Sequence, residues 1–445
     1  MTPFQALFVP AALADAVAGR SWLAAMLDAE KALVKAGAAT GLVPEPAAAA
    51  IADACSGDYD WDQLLEEGRS SGNPAEPLVR AIVARVGEDD ARYVHLGATS
   101  QDVLDTAAML VARRALGFVL GDLARVTSAC ARLAREHRDT PMAGRTLLQQ
   151  AVPTTFGLKS AGWLVAVMDA RARLVELRER GLAAQLGGAA GTLSALGDRG
   201  LELSALYARE LGLAEPTLPW HANRVRIAEL GAALEIAAGV LGKVGLDLEL
   251  LAQTEVGEVR EGGEGGGSSA MPHKRNPVGA MWARAGAALV RGHASVLTAA
   301  LVAEHERAGG AWQAEWDALS GALATTGGAA SALAGSLEGL EVDAARMRTN
   351  LELSGGAVLT ERLAAILTDR LGRIAARSLV RDVSLRASDS GRPLSEELAE
   401  RDTGLTADEL GAALDPATYL GSAGALVDRA LARYEAERTE EEREG

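Results

Sequence analysis

Three short polar segments in this 445-residue chain carry side chains suited to holding and reacting with anions. The first, Tyr93-Val94-His95-Leu96-Gly97-Ala98-Thr99-Ser100-Gln101-Asp102, is a hydroxyl-bearing turn running into a helix-forming stretch, with Thr99 or Ser100 as its N-cap. The free N–H groups and positive dipole end of such a helix suit a carboxylate. The second, Gly144-Arg145-Thr146-Leu147-Leu148-Gln149-Gln150, sets a guanidinium beside hydroxyl and amide groups, and Pro153 then marks a kink or a new helix start. Taken singly, these two also fit an ordinary helix cap and a loop with a surface arginine. The third runs from Gly257 to Pro277 and has five glycines between positions 262 and 267. Each glycine would cost ~1 kcal/mol inside a helix, so the segment reads as a mobile loop hung between two helices. It carries Ser268 and Ser269, then His273, Lys274, Arg275 and Asn276. The order Gly-x-x-x-x-Gly-Lys-Ser/Thr of a phosphate loop is absent, as is a Gly-x-Gly-x-x-Gly after a strand.

The elements that must position these segments are helices. Ile227, Leu230, Leu234, Ala237, Leu241, Val244, Leu248 and Leu251 step alternately by three and four, an unbroken seam along ~36 Å of helix. Leu158, Ala161, Val165, Met168, Ala172 and Val175 repeat the pattern, and helices with such seams pack side by side as a bundle. The chain is 49% hydrophobic and 23% charged, enough to bury a large core, but only 4% aromatic, so Ala, Leu and Val must fill that core. Two cysteines, Cys55 and Cys130, exclude a disulfide scaffold and a cysteine-rich zinc site and point to a reducing compartment. The net charge of −16 argues against nucleic-acid and anionic-membrane partners. No apolar run reaches the ~20 residues of a membrane span. The stretch Met1 to Val17 has no basic n-region and carries Asp15, so it does not read as a signal peptide; a cytoplasmic protein is expected. Ser354-Gly355-Gly356 interrupts the helical pattern, and the charged stretch Glu435 to Gly445 is expected to fray. The division is 1–95, 96–345 and 346–445.

The loop GSSAMPHKRNP (267–277) resembles the signature of the fumarase/aspartase superfamily, G-S-x-x-M-P-x-K-x-N-P, at every fixed position. HLGATSQDVLDTA (95–107) and GRTLLQQAVPTTFG (144–157) resemble that superfamily's other two active-site regions, in the same order. The resemblance implies an all-α fold of three helical domains, the central one contributing long helices to a tetrameric twenty-helix core. It also implies active sites built from three subunits, and no cofactor. Within the superfamily the chain most resembles the bacterial 3-carboxy-cis,cis-muconate cycloisomerases, through PWHANR (219–224), AQTEVGEV (252–259), EHERAGGAWQAEW (304–316), LEVDAARMRTNL (340–351) and LDPATYLGSA (414–423). Two departures matter: fumarase-like lyases carry a histidine where this chain has Leu147, and adenylosuccinate lyase has its catalytic histidine at Gln150, a position where some cycloisomerases also keep histidine, so the second proton-handling group is left unassigned. That lyase's partner glutamate is Met281 here, so a purine nucleotide is a poor substrate candidate.

The superfamily's chemistry is β-elimination, or its reverse, through a doubly charged aci-carboxylate that needs fixed positive charge and N–H donors. By resemblance, Ser268 is the proton-transfer group, activated by loop amides and Lys274, and loop closure would exclude water. Lys274 and Asn276 would bind and stabilise the aci-carboxylate. Thr99, Ser100, Gln101, Thr146 and Gln149 would bind carboxylates through hydroxyls and amides. A tricarboxylate calls for further cations, for which Arg145, Arg307, His95, His273 and His305 are the candidates. Trp312 and Trp316, four apart, fit packing better than ligand binding. The leading expectation is lactonisation of 3-carboxy-cis,cis-muconate to 4-carboxymuconolactone in protocatechuate breakdown. Fumarate release from a small substituted succinate is the alternative. A purely structural protein, the third possibility, would have no need to keep Ser268, Lys274 and Asn276.

Overall fold

The long seam predicted over 227–251 is real: all eight of its residues are buried in the Val225–Leu251 helix. The computed structural model describes residues 4–262, 266–267 and 269–444. Among them are eighteen α-helices and two two-stranded sheets, so the fold is all-α as expected. The longest helix, Ser100–Glu136, has 37 residues and spans ~55 Å. No helix among the described residues is long and apolar enough to cross a membrane.

The chain forms two compact units, each assembled from three stretches of sequence. One comprises Met1–Ala124, Asp169–Lys243 and Trp282–Leu333; the other comprises Arg125–Met168, Val244–Met281 and Ala334–Gly445. In the first, small residues let helices approach closely, which is how a core poor in aromatics is filled. A methyl group on Gly242 would come within 2.7 Å of the Ala287 Cβ, and one on Gly286 within 2.8 Å of the Ala329 Cβ. In the second unit, Ala134 and Ala161 pack on Val427 and Ala430 of the Ala423–Glu444 helix. A further core there is built on Leu363, Leu367, Val383, Leu394 and Leu398.

Three expectations need correction. In the Phe156–Glu176 helix the predicted stripe holds only in part: Ala161 and Met168 are buried and Leu158 and Val165, half-buried, pack beside Ala161, but Ala172 is exposed, and Trp163, Leu164, Val167 and Leu174 are buried as well. The largest side chain buries a further face, since Trp163 donates its indole N–H to Asp247 at 2.7 Å and meets Phe156 edge-on. Pro153 starts no helix. It lies in the Gln149–Thr155 strand of a hairpin with Pro141–Thr146, opposite Ala143, where a bulge at Gly144 tolerates a residue lacking an N–H. The helix begins three residues later, with the Thr155 hydroxyl accepting from the Leu158 N–H. The charged tail, finally, is helical through Glu444, held by Arg433–Glu437 and Arg438–Glu442 pairs one turn apart.

Candidate active site

In the first unit the 95–102 segment is organised by one buried carboxylate. Thr99 stands just before the helix, and its carbonyl accepts from the Asp102 N–H at 2.9 Å, as an N-cap residue's does. Asp102, 1% exposed, returns the bond by accepting from the Thr99 N–H at 3.0 Å. It also accepts from the Gly187 and Gly188 N–H groups, each at 2.9 Å, and lies 2.6 Å from His221 Nε2. One carboxylate thus ties together the helix head, the 187–188 backbone and the 219–224 segment. Arg307, half-buried, donates to the Ala189 carbonyl at 3.1 Å, while its buried Nε–H has no partner among the described residues. His95 and its loop, Thr99, Ser100 and Arg307 therefore border one polar region. His305 is exposed at a φ of 48°.

Gln101 is wholly buried. Its amide nitrogen is shared between Asp105 Oδ2 at 3.1 Å and the His221 carbonyl at 2.9 Å. Beneath it lies an ion triad. Arg224, 2% exposed, grips Asp105 through Nη1 at 2.7 Å and Nη2 at 3.0 Å, and Glu315 through Nε at 2.9 Å and again through Nη2. Trp312 donates its indole N–H to Asp105 at 3.0 Å and meets Trp316 edge-on, so this pair packs as expected. Burial pushes the Glu315 carboxyl up against the pull of Arg224. For Arg224, burial works downward but Asp105 and Glu315 outweigh it and push its guanidinium further up.

The second unit holds the other two segments. The hairpin turns through Leu147 and Leu148, both left-handed at φ 50° and 64°, with Thr146 paired to Gln149 across the turn. Leu147 is 96% exposed. Arg145, expected to meet a substrate carboxylate, is held by Glu258 in a bidentate pair at 2.6 and 2.9 Å. Glu258 is wholly buried and also accepts from Asn350 Nδ2 at 2.8 Å. Gln150 donates to the Asn350 carbonyl at 2.8 Å, which locks the hairpin to the Ala344–Glu352 helix.

The glycine-rich segment joins the Val225–Leu251 and Val278–Ala299 helices. Its start forms a two-residue strand, Val259–Arg260, paired with Glu341–Val342. Asn276 folds its other end back, donating its backbone N–H and its Nδ2 to the Gly266 carbonyl at 2.8 and 3.0 Å. Gly266 has a φ of +78° and no room for a side chain, since a Cβ would lie 2.1 Å from the Asn276 carbonyl oxygen. Lys274 and His273 are exposed and line, with Gln253, Thr254 and Arg260, a cavity of about 940 Å³. Glu261 accepts from the Gly279 and Ala280 N–H groups and so caps the helix that follows. Ser268 lies outside the described residues, as do three of the loop's other members, 263–265. Among the described residues no three His, Cys, Asp or Glu are grouped to hold a metal ion.

The buried partners Asp102, Asp105, His221, Arg224, Glu258 and Glu315 were not predicted as part of the site. Most stand inside the segments that carry the resemblance, and that was the available signal. What those segments preserve is largely a scaffold behind the polar surface.

Comparison with known proteins gives one answer about kinship. Residues 11–292 match the lyase family, and residues 356–430 match the adenylosuccinate lyase C-terminus. A nitrosuccinate lyase of Streptomyces davaonensis is 50% identical over 95% of this chain and 92% of that protein. A 3-carboxy-cis,cis-muconate cycloisomerase of Pseudomonas aeruginosa is 48% identical over 97% of this chain and 96% of that protein. The crystal structure of the 3-carboxy-cis,cis-muconate lactonizing enzyme of Pseudomonas putida superposes with a TM-score of 0.93 at 43% identity, covering 98% of this chain and 99% of that one. The chain belongs to the lyase family and is an enzyme of the fumarase/aspartase superfamily.

Proposed function

We propose that this enzyme is a 3-carboxy-cis,cis-muconate cycloisomerase, lactonising its substrate to 4-carboxymuconolactone in protocatechuate breakdown. The observation that carries the reading is what stands at the two positions where relatives place histidine. Leu147 is an exposed hydrocarbon, and the Gln150 amide is engaged by the Asn350 carbonyl. Neither can give a proton to a departing group. Ring closure needs no such donor: a substrate carboxylate oxygen attacks the diene, a C–O bond forms, and the electron pair moves into the neighbouring carboxylate as an aci-carboxylate. Only the carbon beside that carboxylate then takes a proton. Attacking and attacked atoms belong to one molecule, so proximity is supplied by the substrate. In this reading Ser268 transfers the proton, Lys274 and Asn276 stabilise the aci-carboxylate, and Thr99, Ser100, Gln101, Thr146 and Gln149 bind or position carboxylates. Arg145, Arg307 and His95 supply further positive charge. Ile236, Leu246, Leu289 and Val296, exposed apolar residues of the long helices, support assembly into a homotetramer. The three-domain division at 95 and 345, and a cytoplasmic setting, belong to the same reading.

A second reading has its own support. A leaving group that departs as a stable anion also needs no acid, and nitrite is one. The nitrosuccinate lyase relative favours elimination of that kind, in which a base takes the proton beside a carboxylate, the C–H electron pair forms the C=C bond, the C–N bond breaks with nitrite keeping its electron pair, and fumarate remains.

The test is to incubate the purified protein with 3-carboxy-cis,cis-muconate, following loss of diene absorbance, and in parallel with nitrosuccinate, following nitrite and fumarate. Fast turnover of the muconate alone supports the cycloisomerase; nitrite release alone replaces it with the lyase. Ser268→Ala should remove nearly all turnover of the true substrate while leaving the fold intact.

A further inference from the structure

His95 is strained and yet held. It adopts a left-handed φ of 57°, which costs a non-glycine residue about 1–3 kcal/mol and persists only where surroundings enforce it. The enforcing partner comes from a distant part of the sequence. Glu30, on the Gly19–Ala39 helix, is 2% exposed among Met26, Ala29, Leu33 and Val34, and its Oε1 lies 2.6 Å from His95 Nδ1. A carboxylate buried on an apolar helix face is expensive unless a charged or hydrogen-bonding partner meets it. His95 Nδ1 is that partner. The ring's other nitrogen, Nε2, has no hydrogen-bond partner among the described residues, and the side chain remains 17% exposed. The loop bearing His95 leads directly into Thr99 and Ser100 at the head of the Ser100–Glu136 helix.

We propose that Glu30 is a positioning residue of the active site: through Nδ1 it fixes the His95 ring as a cation that offers its Nε2–H to a substrate carboxylate. The inference rests on the reading of this site as one that binds a polycarboxylate. It supplies a fixed positive charge of a kind that neither Leu147 nor Gln150 can carry. The groups acting on the His95 ring agree. Burial works to lower its pKa, but the charge and hydrogen bond of Glu30, with the more distant charge of Asp102, raise it above the ordinary 6.5. Tyr207, near both carboxylates, and Cys55, near Glu30, are each pushed up by their own burial and stay neutral, while His221 faces Asp102 at 2.6 Å.

Glu30→Gln tests this, because the amide oxygen can still accept from Nδ1–H while the charge is gone. The first measurement needs no substrate. In protein labelled with 13Cε1-histidine, with the His95 signal assigned by His95→Asn, the wild-type ring should titrate above pH 6.5 and the Glu30→Gln ring below the wild type. The second is KM against pH on whichever substrate turns over. Glu30→Gln should raise KM several-fold between the two His95 midpoints read by NMR and approach the wild-type value below the variant's own midpoint, with kcat less affected, whereas a purely structural role would give a defect insensitive to pH. A wild-type midpoint at or below 6.5, or an unchanged midpoint in Glu30→Gln, overturns the proposal. Should Glu30→Gln fail to fold, the wild-type titration decides alone. A raised midpoint in a protein that turns over neither substrate would count against the functional reading only.

Discussion

Arg224→Met removes the cation from a triad that the structure buries almost completely. Side-chain exposures are 2% for Arg224, 2% for Asp105 and 4% for Glu315, so the change leaves two carboxylates facing each other out of reach of water. Asp105 keeps donors in Trp312 and Gln101, while Glu315 is held by Arg224. Breaking a buried pair in this way costs ~3–5 kcal/mol. Unfolding entropy of ~2.1 cal/mol/K per residue gives roughly 0.9 kcal/mol/K for the whole chain, so Tm should fall by about 3–5 °C. The loss should also depend on pH. Burial already holds the Glu315 carboxyl above its ordinary 4.5, and without Arg224 it moves higher. A carboxyl raised in the folded state costs nothing below its unfolded pKa, and its stability is lost as pH rises through the folded value. The deficit of Arg224→Met should therefore be small near pH 5 and large at pH 8. Glu315→Gln added to Arg224→Met removes one stranded charge and should recover ~1–2 kcal/mol. Calorimetry with tryptophan fluorescence at both pH values reads all three quantities. A Tm within 1 °C of wild type at pH 8, or a deficit equal at the two pH values, would refute the reasoning.

Two further outcomes follow from the second unit. Replacing Leu147-Leu148 by Asn-Gly suits the left-handed turn and should stabilise the hairpin by ~1 kcal/mol, slowing amide exchange in Pro141–Thr155 by about fivefold; unchanged exchange would mean the turn carries no strain. Glu258→Gln leaves Arg145 without its carboxylate and should cost ~2 kcal/mol, or about 2 °C in Tm, and a double change with Arg145→Ala should cost less than the sum of the two single ones.

Local pattern determined much of this protein. The heptad-like spacing over 227–251 placed a helix and its buried face, because helical periodicity is a property of neighbouring residues. The glycine run excluded a helix over 262–267, and the helix head at Thr99–Ser100 was legible from its capping residues. Where the signal depended on distant residues, the sequence was silent or misleading. Trp163 buries a further face of the Phe156–Glu176 helix because of a partner at Asp247, far along the chain. The hairpin carried none of the asparagine–glycine chemistry that advertises a tight turn; two leucines are forced through it, while Glu258 and Asn350 lock its strands from elsewhere. Arg145 read as a candidate carboxylate binder or a surface arginine, and the fold pairs it with the buried Glu258. His95 read as a candidate cation in a turn, and only the tertiary fold set it against Glu30, because a buried charge is tolerated solely where the fold delivers its partner.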